Sequence, residues 1–182
     1  MKKVSVLLAE GFEEIEALSV VDLLRRARIY VDTVSISDEY MVRGSHGIAV
    51  QTEDLFEEVN FADFDMVVLP GGLPGTTNLG NHSGVRRVVT DFAENGKYVA
   101  AICAAPTVLS ELGLLKGKRV TCYPDMERKI TGAVLTGAPV MEDGNIITGQ
   151  GVGAAVDFAL KLIAVLAGSE KAGEIADAIV YQ

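Results

Sequence analysis

The chain has 182 residues, 49% of them hydrophobic, and a net charge of −9. That length suits one domain with a substantial core, and the acidic balance argues against nucleic acid as a partner, because backbone binding needs a basic patch. No stretch approaches the roughly 18 consecutive apolar residues of a membrane span, and two cysteines are too few for a disulfide framework, so a reducing cytoplasm is the expected compartment.

Residues 4–9 form a continuous apolar run halted at Glu10, the mark of a strand buried on both faces and not of a secretory signal. Residues 13–27 follow with helical spacing, their acidic members in the first turn where the helix dipole favours them. Residues 30–35 alternate as a second strand, and 41–42 with 48–51 read as a hairpin joined through Gly44 and Gly47. Residues 65–69 are another buried strand, stopped by Pro70-Gly71-Gly72, and a loop rich in Gly, Thr and Asn leads to a helix over 85–95. A strand at 98–102 runs into a helix at 107–112, closed by Gly113. Residues 119–122 read as a short strand, and 140–141 with 145–148 flank an Asp143-Gly144 turn. Residues 154–167 form a strongly apolar helix and 171–179 a further one. No repeat or linker interrupts this order, so residues 1–182 read as a single domain. Strands alternating with helices predict an α/β sandwich with a mainly parallel sheet and helices on both faces.

In such sheets, sites form beyond the carboxyl ends of the strands. The loops at 10–13 and 70–78 and the turn at Cys103 meet that condition. Cys103 ends an apolar strand just before a helix, among Ala100, Ala101, Ala104 and Ala105. The position resembles in outline the strand-to-helix elbow that presents a nucleophile, and the helix dipole there favours thiolate over thiol. The alternative is a buried structural cysteine, since free Cys is among the most buried residue types. Glu16 falls on the apolar arc formed by Ala17, Val20, Leu23, Leu24 and Ala27. A carboxyl buried there is paired or protonated; the alternative is one at the edge of the arc that reaches solvent. Gly71 and Gly72 can bring bare backbone N–H groups to an anion, as an oxyanion site requires, or they simply form a turn.

Other signals are weaker. Gly149-Gln-Gly-Val-Gly-Ala154 matches a dinucleotide fingerprint literally, yet no completing strand follows it, so it reads as a close-packed helix start beside the site. The two histidines, His46 and His82, are far from Cys103 in sequence, and each reads as a solvated loop residue. Neither cysteine has a ligand-rich neighbourhood, so no metal is expected.

Taken together, Glu10-Gly-Phe-Glu-Glu-Ile-Glu16, Val21-Asp-Leu-Leu-Arg-Arg26, Val68-Leu-Pro-Gly-Gly72 and Ala101-Ile-Cys-Ala-Ala-Pro-Thr107 resemble the ThiJ/PfpI superfamily. The similarity is to the branch of the human parkinsonism protein and bacterial YajL. The resemblance implies a flavodoxin-like fold, a homodimer and no metal or organic cofactor. It also implies that Cys103 is the nucleophile, that a protonated Glu16 hydrogen-bonds it, and that the N–H groups of Gly72 and Ala104 face a substrate oxyanion. The chain departs from the family pattern in three places. Ala104 stands where a protease-like branch has histidine, which weakens a peptidase or amidase reading. Tyr123 replaces the histidine of a Thr-His-Pro segment, and Ser45-His46 replaces a Ser-Arg pair at the dimer contact. His46 of a second subunit is therefore a candidate for acid–base work, and Tyr123 a candidate donor. The activity implied is a glyoxalase- or deglycase-like one on methylglyoxal-type dicarbonyls or their early adducts; the alternative is a redox sensor whose Cys103 is oxidised to sulfinate.

Overall fold

The computed structural model describes residues 1–182. Its strands in chain order are β1 (Lys3–Leu8), β2 (Tyr30–Ser35), β3 (Met41–Arg43), β4 (Ala49–Gln51), β5 (Asp54–Leu55) and β6 (Met66–Leu69). They continue with β7 (Tyr98–Ile102), β8 (Arg119–Val120), β9 (Val134–Leu135), β10 (Val140–Asp143) and β11 (Ile146–Gly149). Seven of these form one sheet in the order β10-β11-β7-β6-β1-β2-β5. Every neighbouring pair in it is parallel except the β10–β11 hairpin. The strands β3–β4 and β8–β9 form two small ribbons outside the sheet.

The helices are α1 (Glu14–Arg26), α2 (Gly75–Asn81), α3 (Ser83–Glu94), α4 (Pro106–Glu111), α5 (Ala155–Ala167) and α6 (Ser169–Ala178). Alternation along the strands feeds two cores. Val4, Val6 and Leu8 of β1 pack with Leu24 of α1 and Phe158 and Leu162 of α5. Leu7 faces the other side, with Leu79 of α2, Val89 of α3 and Leu109 of α4. A strand covered on both faces has no polar side to display, which is why β6 and β7 read as apolar runs and β1 is apolar from Val4 onward except for the small, buried Ser5. The mainly parallel α/β sandwich expected from the sequence is the fold observed.

Several local expectations need correction. The Gly/Thr/Asn-rich loop contains helix α2, whose residues have poor helix propensity; burial of Leu79 and a bond from Asn78 Nδ2 to the Glu10 carbonyl (2.9 Å) hold it. Helix α3 begins two residues early because His82 caps it, its Nδ1 accepting from the Val85 N–H at 3.1 Å. His82 also lies edge-on to Phe56 with ring centres 4.7 Å apart, so it is not a merely solvated loop residue. The strand expected over 119–122 ends at Val120, because the Tyr123 N–H donates to the Cys103 carbonyl (2.8 Å) and draws the chain over the site.

Candidate active site

The carboxyl ends of the central strands β1, β6 and β7 deliver three turns to one place. Cys103 follows β7 directly and has a left-handed backbone, φ +65°. For a residue with a side chain this conformation is strained and needs surrounding support. Support comes from two bonds: the Cys103 N–H donates to the Gly149 carbonyl (2.9 Å), and the Cys103 carbonyl accepts from Tyr123. Ala104 and Ala105 are buried beside it.

Glu16 is fully buried, on the first turn of α1. Its Oε2 accepts the Gly71 N–H at 2.9 Å. Oε1 is buried without a partner of good hydrogen-bonding geometry, and the Cys103 thiol is the side-chain donor within reach. Burial raises the Glu16 carboxyl to about 7, against the favourable contacts from Cys103 and Gly71 and with help from the charge of Glu13. The thiol behaves differently from the sequence-based expectation of a thiolate. Burial, then the charge of an ionised Glu16, push Cys103 up to about 12, while the backbone N–H groups of Ala104 and Gly72 favour its anion. Helix α4 has only six residues, so its dipole is too short to reverse this. The physical content is one proton held between two buried acids: protonating Glu16 removes the charge that opposes the thiolate and supplies a donor to it.

Glycine is required at both positions after β6. A Cβ on Gly71 would lie 2.6 Å from Cys103 Cβ and 2.6 Å from Glu16 Oε2. Gly72 has φ +90°, and a Cβ there would lie 2.5 Å from the Glu13 nitrogen. Gly72 and Ala104, in two different loops, carry the backbone N–H groups that favour the Cys103 anion.

A cleft of about 460 Å³ opens over Cys103, lined by Tyr123, Pro139, Gln150, Val152 and Asp157 among others. Tyr123 is 45% exposed on its wall. The glycine-rich stretch from Gly149 to Ala154 is the sequence signal for Gln150, whereas Asp157, in the first turn of α5, has none. Asp157 Oδ1 accepts a bond from the Tyr181 hydroxyl at 2.7 Å.

His46 is not part of this cleft within the chain. It borders a neighbouring hollow with Glu13, Glu14, Ile15, Ile48 and Val152. Its Nδ1 lies 2.8 Å from Glu14 Oε2, and its backbone N–H donates to Glu14 Oε1 at 2.7 Å. Burial opposes charge on Glu14, but His46 and backbone donors outweigh it and hold this carboxyl at about 2; the same pairing raises His46. Nothing in the local sequence pattern singles out Glu14. Donor atoms of Glu13, Glu14 and His46 lie within 4.8 Å of one another. They already hydrogen-bond one another and the backbone, so no metal is assigned to them.

Comparison with known proteins agrees with the fold. The DJ-1/PfpI family profile matches residues 2–165. Protein DJ-1alpha of Drosophila melanogaster is 40% identical over 99% of this chain and 84% of its own. The C103A mutant of the DJ-1 superfamily protein STM1931 from Salmonella typhimurium superimposes with a TM-score of 0.96 at 42% identity, covering 100% of both chains. Oxidized Toxoplasma gondii DJ-1 gives a TM-score of 0.96 at 36% identity over 100% of this chain and 99% of its own.

Proposed function

The chain belongs to the DJ-1/PfpI family, and from that premise we propose that it is a cofactor-free, cysteine-dependent enzyme acting on small dicarbonyls such as methylglyoxal, or on their early adducts. The observation that carries this reading is the buried Glu16 carboxyl, raised to about 7, facing the Cys103 thiol. A carboxyl poised near neutrality can both take and return a proton.

The chemistry runs in three steps. Glu16 takes the thiol proton as the sulfur adds to the aldehyde carbon, and the developing oxyanion meets the N–H groups of Gly72 and Ala104 before Glu16 hands that proton to it, giving a hemithioacetal and an ionised Glu16. Glu16 then removes the proton from the former aldehyde carbon and returns one to the adjacent carbon, which converts the adduct to a lactyl thioester. Water cleaves the thioester, releasing lactate and the free thiol. No external oxidant or reductant is needed, because one carbon is oxidised as its neighbour is reduced. Tyr123 sits on the cleft wall as a candidate donor, but a phenol is a poor base near neutrality, and turnover is expected to be slow.

A second reading is oxidation sensing. The same N–H groups and protonated Glu16 suit the oxygens of a sulfinate. Cys122 does not recommend itself as a resolving thiol: it is 1% exposed and its Sγ donates to the Tyr123 carbonyl (3.4 Å). The proposed assembly is a homodimer. Ile15, Ile48 and Val152 border one hollow and are each more than 40% exposed, an apolar patch that a second copy would cover. Both thiols are free, in keeping with a reducing compartment.

The test is methylglyoxal consumption with lactate quantified, for wild type, Cys103→Ser and Glu16→Gln. Repeated turnover lost in Cys103→Ser supports the enzyme. No lactate above buffer in the wild type, with Cys103 taking up two oxygens from peroxide and stopping there, favours the sensor.

A further inference from the structure

We propose that Glu13 is a positioning residue for Glu16: its carboxylate fixes the helix turn that aims Glu16 at Cys103 and partly offsets the pull of the positive helix end on Glu16. The proposal rests on the reading of Cys103 and Glu16 as the reacting pair.

Glu16 is the third residue of α1, inside the turn where a helix N-terminus stabilises negative charge. Such a position, taken alone, favours the ionised form and opposes a shared proton with the thiol. Glu13 stands at the same helix end. Its Oε2 accepts the Glu16 N–H at 2.8 Å, which satisfies a donor that the helix leaves open. Its negative charge acts on the Glu16 carboxyl in the direction that keeps the proton on.

Glutamate is an unusual choice for an N-cap, where Ser, Thr, Asp and Asn prevail. This one is only 7% exposed, so it is not a solvated surface charge. Its backbone is engaged as well. The Glu13 N–H donates to the Gly71 carbonyl at 2.9 Å, while the Gly71 N–H donates to Glu16 Oε2 at 2.9 Å. The glycine turn is therefore clasped from both sides by the start of one helix.

The titratable groups facing Glu16 are Cys103 from the elbow and Glu13 from its own helix end. Beyond them, His46 from the β3–β4 ribbon lies 3.7 Å from Glu13 Oε1 and bonds Glu14, which leaves Glu13 Oε2 free to serve the helix.

The experiment is a side-chain carboxyl NMR titration with ¹³C-labelled glutamate in the full chain, for wild type, Glu13→Gln and Glu13→Asp, with Glu16→Gln to assign the resonance. Gln keeps an oxygen for the Glu16 N–H and removes the charge. Its Glu16 midpoint is expected to fall by about half a pH unit, the size of a single charge effect at a helix end. Asp keeps the charge and caps well, so its midpoint is expected to stay near the wild-type value. The rate of Cys103 alkylation by iodoacetamide should shift along the pH axis with the same ordering. An unmoved midpoint in Glu13→Gln, or an equal fall in Glu13→Asp, would overturn the role given to Glu13. Absence of lactate formation would instead sink the dicarbonyl reading, since the carboxyl titration needs no turnover.

Discussion

Glu16 and Gly71 lie 55 residues apart in sequence and are joined by a 2.9 Å hydrogen bond from the Gly71 N–H to Oε2. The bond ties helix α1 to the turn after β6, and Cys103 sits against the same glycine, so one missing side chain lets three elements meet.

Gly71→Ala therefore tests the geometry directly. The added methyl must displace Cys103 or Glu16, both tightly surrounded, and overpacking of this kind costs about 1–3 kcal/mol. The variant is expected to unfold at lower temperature and to lose most of its Cys103 reactivity, read from alkylation rates on protein that calorimetry shows is still folded. Wild-type reactivity in a folded Gly71→Ala would mean the three groups are less tightly coupled than the contacts indicate.

The buried carboxyls predict a definite pH profile for stability. Glu16 and Asp32 both sit above the usual carboxylate range, Asp32 through burial and then the nearby Asp54 and Glu53. The folded state thus holds more protons than the unfolded state above about pH 4, and stability falls as pH rises toward and through 7. Each group contributes a slope of at most about 1.4 kcal/mol per pH unit. Glu14 has the opposite sign: held at about 2, it lends stability above the unfolded carboxylate range and loses it as pH falls. Chemical denaturation between pH 3 and 9 should show a maximum on the acid side of neutrality. Asp32→Asn should gain on the order of 1 kcal/mol over wild type at pH 8 and little at pH 5. Equal effects at both values would remove Asp32 from this account.

Much of this arrangement was legible in the sequence because it depends on local pattern. The strand at 98–102, the elbow cysteine and the glycine pair are contiguous signals, and Glu16 announced itself by falling on an apolar arc. What the sequence did not show is long-range. Glu14 pairs with His46 across 32 residues, and His82 caps its helix while leaning on Phe56. The thiol environment is hidden for the same reason: the short helix after the elbow is visible in the sequence, but the desolvation around Cys103 and the charge of Glu16 against it are not. Helix α2 escaped because tertiary packing overrides its poor propensity.

His46 offers a test that separates structure from chemistry. Its pairing with Glu14 raises it above its unfolded value, so the stability it supplies is fully present below about pH 6.5 and is lost as pH rises through the raised value. His46→Ala should lower the melting temperature at pH 5.5 and change it little at pH 9.5. Lactate formation should stay within about threefold of wild type, since His46 borders a different hollow from the one over Cys103. A tenfold drop, restored by mixing with Cys103→Ser subunits that keep His46, would revive its role as an acid–base group supplied across a dimer.

Tyr123 gives the sharpest test of the proposed chemistry. Its backbone N–H, not its side chain, supports the Cys103 carbonyl, so Tyr123→Phe should fold normally and lose less than about threefold in turnover. Tyr123→His keeps the backbone bond and introduces on the cleft wall a group that titrates near neutrality. If the dicarbonyl pathway is limited by proton transfer, this variant should form lactate faster, by roughly tenfold or more, with a rate that rises as the new imidazole deprotonates. The Cys103 alkylation rate should change far less, because the sulfur's immediate partners, Glu16, Gly72 and Ala104, are untouched. A gain in alkylation without a gain in lactate would show that Tyr123 governs access to the thiol and not the proton transfers that follow.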